Sequence, residues 1–253
     1  MSFQPLMTAY GPLSAQGSAL CWPLMAKTGD ALIAEICQAV AAEADVLEWR
    51  VDALESLAAR AELLSLAARV REAAGALPLI LTLRAPYEGG CTEGLSDAMR
   101  ADLLLALLPY AKPEFIDLEL AMSSPDFLRV RSACRAVGIQ LIVSSHDFAE
   151  TPTADALRSI FARARDAGGD VAKLATYPKD FSAVLRLMSV TREAATQLGI
   201  PVVGIAMGEL GVVSRVFATE CGSALTFIAG SEASAPGQVS LTRHRQLRAL
   251  LPS

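Results

Sequence analysis

Histidine is scarce in this chain: His146 and His244 are the only two among 253 residues. The five cysteines, Cys21, Cys37, Cys91, Cys134 and Cys221, are odd in number, widely spaced and form no CxxC. Such a set leaves little from which to build a transition-metal site or a disulfide framework, so no metal is expected and a reducing cytoplasm is the expected compartment. Basic charge is also short, with 22 Lys and Arg against 27 Asp and Glu, a net charge of -5. That balance excludes a general nucleic-acid coat, which needs a basic face. A small anionic ligand stays open, because one well-placed arginine can hold one carboxylate.

Long apolar runs are missing too. Residues 1–26 carry no charged side chain, but Pro5, Gly11, Pro12, Gly17 and Pro23 interrupt them. A membrane helix needs about 20 continuous apolar residues, and a signal peptide starts with a basic residue; the first here is Lys27. Neither a membrane partner nor a leader is expected, and the N-terminal stretch is read as covering something apolar. A GxGxxG after the first predicted strand is likewise absent, which argues against a dinucleotide-binding open sheet.

What the chain does have is hydrophobic material, 53% of its residues at a mean hydropathy of +0.38, enough for a large core. Short β-rich runs alternate with Ala- and Leu-rich helical ones. Strands are predicted at 18–25, 45–52, 78–84, 114–120, 139–146, 170–177, 201–207 and 224–229. Helices are predicted at 30–44, 57–73, 95–108, 123–137, 153–167, 181–198, 213–220 and 241–250. Parallel neighbours need long crossovers, and eight strand–helix units close a (β/α)8 barrel. The expected fold is therefore α/β, a single (β/α)8 TIM-barrel domain over residues 1–253, with a short hairpin or plug at residues 3–12. An open doubly wound sheet is the runner-up.

Polar residues interrupt these strands with a period of two. In Glu48-Trp49-Arg50-Val51-Asp52 the charges fall on one face and the apolar residues on the other, because a pleated strand alternates its side chains. In a barrel the charged set lines the lumen. Thr82 and Arg84 share a face, as do Asp117 with Glu119 and Ser144 with His146. Lys173 stands alone inside Val171-Ala172-Lys173-Leu174-Ala175. One reading makes it half of a buried ion pair with lumen carboxylates. The other makes it a nucleophilic amine, surrounded by cations and an apolar wall, that forms an imine with a ketone. His146, one strand away, then serves as acid and base near neutral pH.

The ordered set Glu48-Trp49-Arg50-Val51-Asp52, Arg84, Glu88-Gly89-Gly90, Ser145-His146-Asp147-Phe148, Lys173, Met207-Gly208, Ser214-Arg215 and Ser234-Ala235-Pro236-Gly237-Gln238 resembles the signature of type I 3-dehydroquinate dehydratases. The resemblance implies dehydration of 3-dehydroquinate to 3-dehydroshikimate in the shikimate pathway, no metal or organic cofactor, and a homodimer. It implies Lys173 as the imine lysine, His146 as general acid and base, and Glu88 as the residue that orients His146. It assigns Arg215 to the substrate carboxylate and Glu48, Arg50 and Arg84 to the ring hydroxyls. Ser234 and Gln238 belong to a loop that closes over the substrate. Two local departures stand out: Ala85-Pro86-Tyr87 follows the arginine where members often carry Thr or Ser, and the lid at 230–233 is acidic where some relatives are basic. The alternatives are another imine-forming barrel, of the class I aldolase or transaldolase kind, and a barrel that binds a small acid without turning it over. Elsewhere, His244 is expected to be a solvated surface residue between two arginines, the cysteines small core residues, and Trp22 and Trp49 packing between sheet and helices.

Overall fold

A computed structural model of the protein describes residues 4–8, 11–13, 17–55, 57, 59–230 and 232–250. Its frame is eight parallel strands: β1 (Ala19–Leu24), β2 (Val46–Arg50), β3 (Leu79–Thr82), β4 (Phe115–Glu119), β5 (Gln140–Asp147), β6 (Val171–Thr176), β7 (Val202–Ala206) and β8 (Leu225–Phe227). Each strand from β1 to β6 pairs with the next, and β8 pairs with β1. The helices are α1 (Gly29–Ala41), α2 (Arg60–Ala74), α3 (Asp97–Ala111), α4 (Ser124–Ala136), α5 (Ala154–Asp166), α6 (Phe181–Gln197), α7 (Val212–Val216) and α8 (Leu241–Arg248). All eight expected strands and eight expected helices are present. The seventh helix is shorter than predicted, five residues long.

The seam between β7 and β8 is closed by the Ala224 amide, which donates to the Val202 carbonyl at 2.7 Å, and by Ser223. Ser223 makes a parallel bridge with Val202. Its hydroxyl accepts the Gly204 amide at 3.2 Å and donates to the Leu225 carbonyl at 2.9 Å. A side chain thus stands in for ladder bonds that the short β8 does not provide.

Alternation along the strands divides the interior into two regions. Leu47, Trp49, Leu79, Leu81, Ile116 and Leu118 face outward and are fully buried beneath the helices. The inward set is layered. At the N-terminal ends, Val46, Ile80, Phe115, Ile142, Val171 and Val203 form an apolar floor. Two residues further along each strand, the inward positions of β2 to β6 are Glu48, Thr82, Asp117, Ser144 and Lys173, all buried. One more step, about 6–7 Å at strand rise, reaches Arg50, Arg84, Glu119, His146 and Ala175. A barrel lumen filled in layers by alternate strands has this form.

The N-terminal segment forms the expected hairpin and plug. Strands Met7–Thr8 and Gly11–Pro12 pair antiparallel, and Leu6 is buried within the apolar floor. Residues 3, 9 and 10 of the expected segment lie outside the described residues. Side-chain caps begin several helices: Ser96, Thr153, Asp180 and Ser240 each accept a backbone amide three residues on. Such a cap contributes about 0.5–2 kcal/mol.

Candidate active site

A pocket lies at the C-terminal mouth of the barrel. All nine residues singled out from the sequence line it: Glu48, Arg50, Arg84, Glu88, His146, Lys173, Arg215, Ser234 and Gln238. They come from strand ends and the loops that follow them, from α7 and from the loop after β8, so strand register brings them together.

Lys173 lies at the bottom of the pocket. Its Nζ donates to Asp117 Oδ2 at 2.8 Å, stands 3.7 Å from Glu48 Oε1, and lies 4.3 Å from the centre of the Phe227 ring. This corrects the expectation that cations crowd the amine. Its nearest charged neighbours are carboxylates, because β4 and β2 present Asp117 and Glu48 in the same lumen layer. Burial alone would raise the Asp117 carboxyl, but Arg84 and Lys173 outweigh it and hold the group well below the usual carboxylate range.

His146 is one layer higher on the neighbouring strand; β5 and β6 pair with Ser144 opposite Lys173 and His146 opposite Ala175. Its Nδ1 lies 2.8 Å from Glu88 Oε2, and its backbone amide donates to the same oxygen at 2.9 Å. Burial, with Arg84 and Lys173 nearby, lowers His146 well below the ordinary imidazole range. Burial raises the Glu88 carboxyl to about 8. With Nδ1–H directed at Glu88, Nε2 is left as a lone-pair acceptor.

Glu88 reaches this position through a tight turn. Pro86–Glu88 is a single 3-10 turn with Pro86 at its start, a position where a missing N–H leaves no helical bond unmade. Gly90 N donates to the Ala85 carbonyl at 2.9 Å. A Cβ on Gly90 would lie 2.1 Å from the Arg84 carbonyl oxygen, so the turn requires glycine there.

Arg50 is committed to Asp52, with Nε and one terminal nitrogen on its two oxygens at 2.9 and 2.7 Å. Arg84 is committed to Glu119 (2.7 Å), Ser144 (2.9 Å) and Asp117 (2.9 Å). Arg215 differs from both. It is 2% exposed and has no carboxylate partner among the described residues. It donates to the carbonyls of Phe227 and Pro236 at 3.2 Å each, and its Nε has no partner. Burial lowers it to about 10, so it remains a cation at neutral pH. A buried guanidinium with no counter-charge among the described residues, opening into a pocket, can accept an anion.

The loop after β8 covers the pocket. Gly208 N donates to the Pro236 carbonyl at 3.0 Å. The Ser234 amide and hydroxyl bond the Gln238 side chain at 2.8 and 2.9 Å. A Cβ on Gly237 would lie 2.1 Å from the Gly208 oxygen, and Gly237 has φ +80°.

His244 corrects the expectation of a solvated residue. It is buried, and its Nε2 lies 3.2 Å from the Arg215 carbonyl oxygen. Leu241, three residues earlier on α8, is buried beside it on the same helix face; the i, i+3 spacing was the available signal. Asp117, Ser144, Met207 and Phe227 also belong to the site or its wall. Strand parity had marked the first two as lumen residues. Phe227 carried no such mark, because β8 is short and carries no charged residue.

Fold and pocket together define a (β/α)8 barrel with a polar pocket at its C-terminal mouth. Residues 20–252 match the family model described as Type I 3-dehydroquinase, and the chain belongs to that family of hydro-lyases. It is 37% identical over 222 residues to a 3-dehydroquinate dehydratase of Albidiferax ferrireducens, covering 88% of this chain and 84% of that protein. It is 35% identical to one of Shouchella clausii, covering 90% and 89%. The crystal structure of 3-dehydroquinate dehydratase from Geobacillus kaustophilus superposes with a TM-score of 0.93 at 30% identity, covering 99% and 97% of the two chains.

Proposed function

We propose that the protein dehydrates 3-dehydroquinate to 3-dehydroshikimate through an imine on Lys173, with His146 as the general acid and base. Family membership supports the reaction and its place in the shikimate pathway. One observation carries the mechanism: Lys173 and His146, on adjacent strands and one lumen layer apart, open into the same pocket as Arg215, whose guanidinium has no carboxylate partner among the described residues.

In this reading the substrate carboxylate binds Arg215. The Lys173 amine adds to the ketone carbon, water leaves, and an iminium forms. His146 Nε2 takes a proton from the adjacent carbon, and the C–H electrons flow into the iminium to give an enamine. The enamine then expels the hydroxyl on the next carbon, which takes the proton back from His146 and departs as water. Hydrolysis of the conjugated iminium frees Lys173 and the product. The water released in the first step is consumed in the last, so the net change is the loss of one water. Glu88 holds His146 in the required tautomer and direction. Glu48, Arg50 and Arg84 surround the ring, and Ser234 and Gln238 close the lid. The mechanism calls for no metal or organic cofactor.

The five cysteines are free thiols, in keeping with a cytoplasmic enzyme. Among the described residues no helix is long and apolar enough to cross a membrane. We read the assembly as a homodimer of single-barrel chains, by family resemblance.

The test is borohydride reduction in the presence of 3-dehydroquinate. The expected result is inactivation with one ligand bonded to Lys173, while Lys27, Lys112 and Lys179 remain unlabelled. Lys173→Ala should abolish both adduct and turnover. Normal dehydration with no adduct, or an adduct on another lysine, would overturn the imine assignment.

A further inference from the structure

Arg100 is an unusual residue for a helix on the outside of a barrel. It is 1% exposed, yet it projects from the first turn of α3 toward the lumen layer rather than toward solvent. Its Nε and one terminal nitrogen both donate to the Leu83 carbonyl, at 3.1 and 2.8 Å. That same nitrogen forms an ion pair with Glu119 Oε2, and the other terminal nitrogen bonds Asp97 at 2.8 Å. Three of its donor nitrogens are thus engaged by oxygen, two of them on the segment that carries the active site.

The partners explain the placement. β3 ends at Thr82, so the Leu83 carbonyl lies beyond the ladder and takes its donors from Arg100. Glu119 is fully buried and divides its two oxygens. Oε1 accepts Arg84 at 2.7 Å and the Ala85 amide at 3.0 Å, while Oε2 faces Arg100. Arg84 is therefore gripped at three points: the carbonyl before it by Arg100, the amide after it by Glu119, and its guanidinium by Glu119 and Asp117. Ala85 is also where the turn carrying Glu88 begins.

Charge balance points the same way. Around Lys173 and His146, β2 contributes Glu48 and Arg50, the β3 end contributes Arg84 and Glu88, and β4 contributes Asp117 and Glu119. From β1, Cys21 faces the same interior as a buried thiol, pushed up by burial. The described lining from β7 and β8, Ile205, Met207 and Phe227, carries no charge, and Arg215 completes the set. Asp117 and Glu119 both draw on Arg84. Without Arg100, Glu119 would hold a buried charge with Arg84 as its one remaining cation, and Arg84 would be pulled from Asp117.

We infer that Arg100 is a positioning residue for the elimination: it neutralises Glu119 so that Arg84 stays shared with Asp117, and thereby sets both the electrostatics around Lys173 and His146 and the start of the Glu88 turn. The inference rests on the imine reading above and goes beyond the pocket residues, because Arg100 does not line the pocket.

The test compares Arg100→Met, Arg100→Lys and the double variant Arg100→Met with Glu119→Gln, each checked for a folded thermal transition, with the wild type trapped by borohydride alongside. Loss of the cation leaves Glu119 under-compensated. A more negative interior favours the protonated imidazole of His146, so the acidic limb of the kcat profile should move to higher pH, by about one unit. Turnover at neutral pH should fall at least about tenfold. Arg100→Lys should recover part of both changes. The double variant should return the limb toward its wild-type position, since the uncharged amide introduced by Glu119→Gln can still accept from Arg84 and Ala85. A lowered melting temperature with an unmoved pH profile, or a double variant as displaced as Arg100→Met, would overturn the inference. Failure of the wild type to form an adduct on Lys173 would instead overturn the imine reading and leave the Arg100 comparison to be read on its own pH profile.

Discussion

A single carboxylate oxygen, Oε2 of Glu88, receives both the backbone amide of His146, at 2.9 Å, and its Nδ1, at 2.8 Å. Ring and main chain of the histidine are tied to the same atom, so the imidazole cannot turn without breaking one of the two contacts. The cost lies with Glu88, a buried carboxyl raised from 4.5 to about 8.

That shift makes a prediction about stability. A carboxyl raised in the folded state contributes stability that is fully present below its unfolded value of 4.5 and is lost as pH rises through about 8. Glu88→Gln does not titrate. The melting temperature of the variant relative to wild type should therefore increase as pH rises between those two values and level off above them. Thermal melts across this window check it, and a difference independent of pH would contradict the assignment.

His146→Ala should slow dehydration by at least about a hundredfold, the usual scale of general acid–base assistance. Borohydride should still trap substrate on Lys173, because imine formation and elimination are separate steps. In the wild type the base form of His146 should persist below the ordinary value of 6.5, since burial lowers it. Single-turnover rates with and without borohydride separate the two steps. Wild-type turnover in the variant would remove His146 from the mechanism.

Arg215→Ala should act on binding more than on chemistry. A charge-assisted bond to a carboxylate is worth about 1.5–3 kcal/mol, so KM should rise about 10- to 150-fold with a smaller change in kcat. Arg84 is not free to substitute, because Glu119, Asp117 and Ser144 already engage it. An unchanged KM would show that another group holds the carboxylate.

Ser223→Ala tests the seam of the barrel. The substitution leaves the Gly204 amide and the Leu225 carbonyl without the hydroxyl that serves both. Leaving buried polar groups unpaired costs about 1–3 kcal/mol, and at this chain length about 2 kcal/mol corresponds to a melting temperature lower by about 4–8 °C. Differential scanning calorimetry reads the change directly. An unaltered melting temperature would mean that the seam between β7 and β8 needs no side chain.

Much of the site could be read from local pattern. Glu48 and Arg50, Thr82 and Arg84, Asp117 and Glu119, and Ser144 and His146 are each two residues apart, and a pleated strand puts such pairs on one face whatever the rest of the chain does. The strand–helix alternation is similarly local, as is the i, i+3 pairing of Leu241 with His244. The latter was outweighed by the arginines on either side of His244, which suggest a solvated helix face.

Sequence alone therefore determined which residues point into the lumen, and in what order the strands carry them, because both follow from backbone period and the burial of apolar side chains. It did not determine who meets whom. Lys173 and Asp117 are 56 residues apart, and their pairing depends on the register of β4, β5 and β6. Arg100 reaches Glu119 from an outer helix, and Arg215 has no counter-charge among the described residues although acidic residues outnumber basic ones in the chain. These outcomes were decided by closure of the barrel. Desolvation and Coulomb energy depend on distance and burial, and both quantities exist only once the strands are in register.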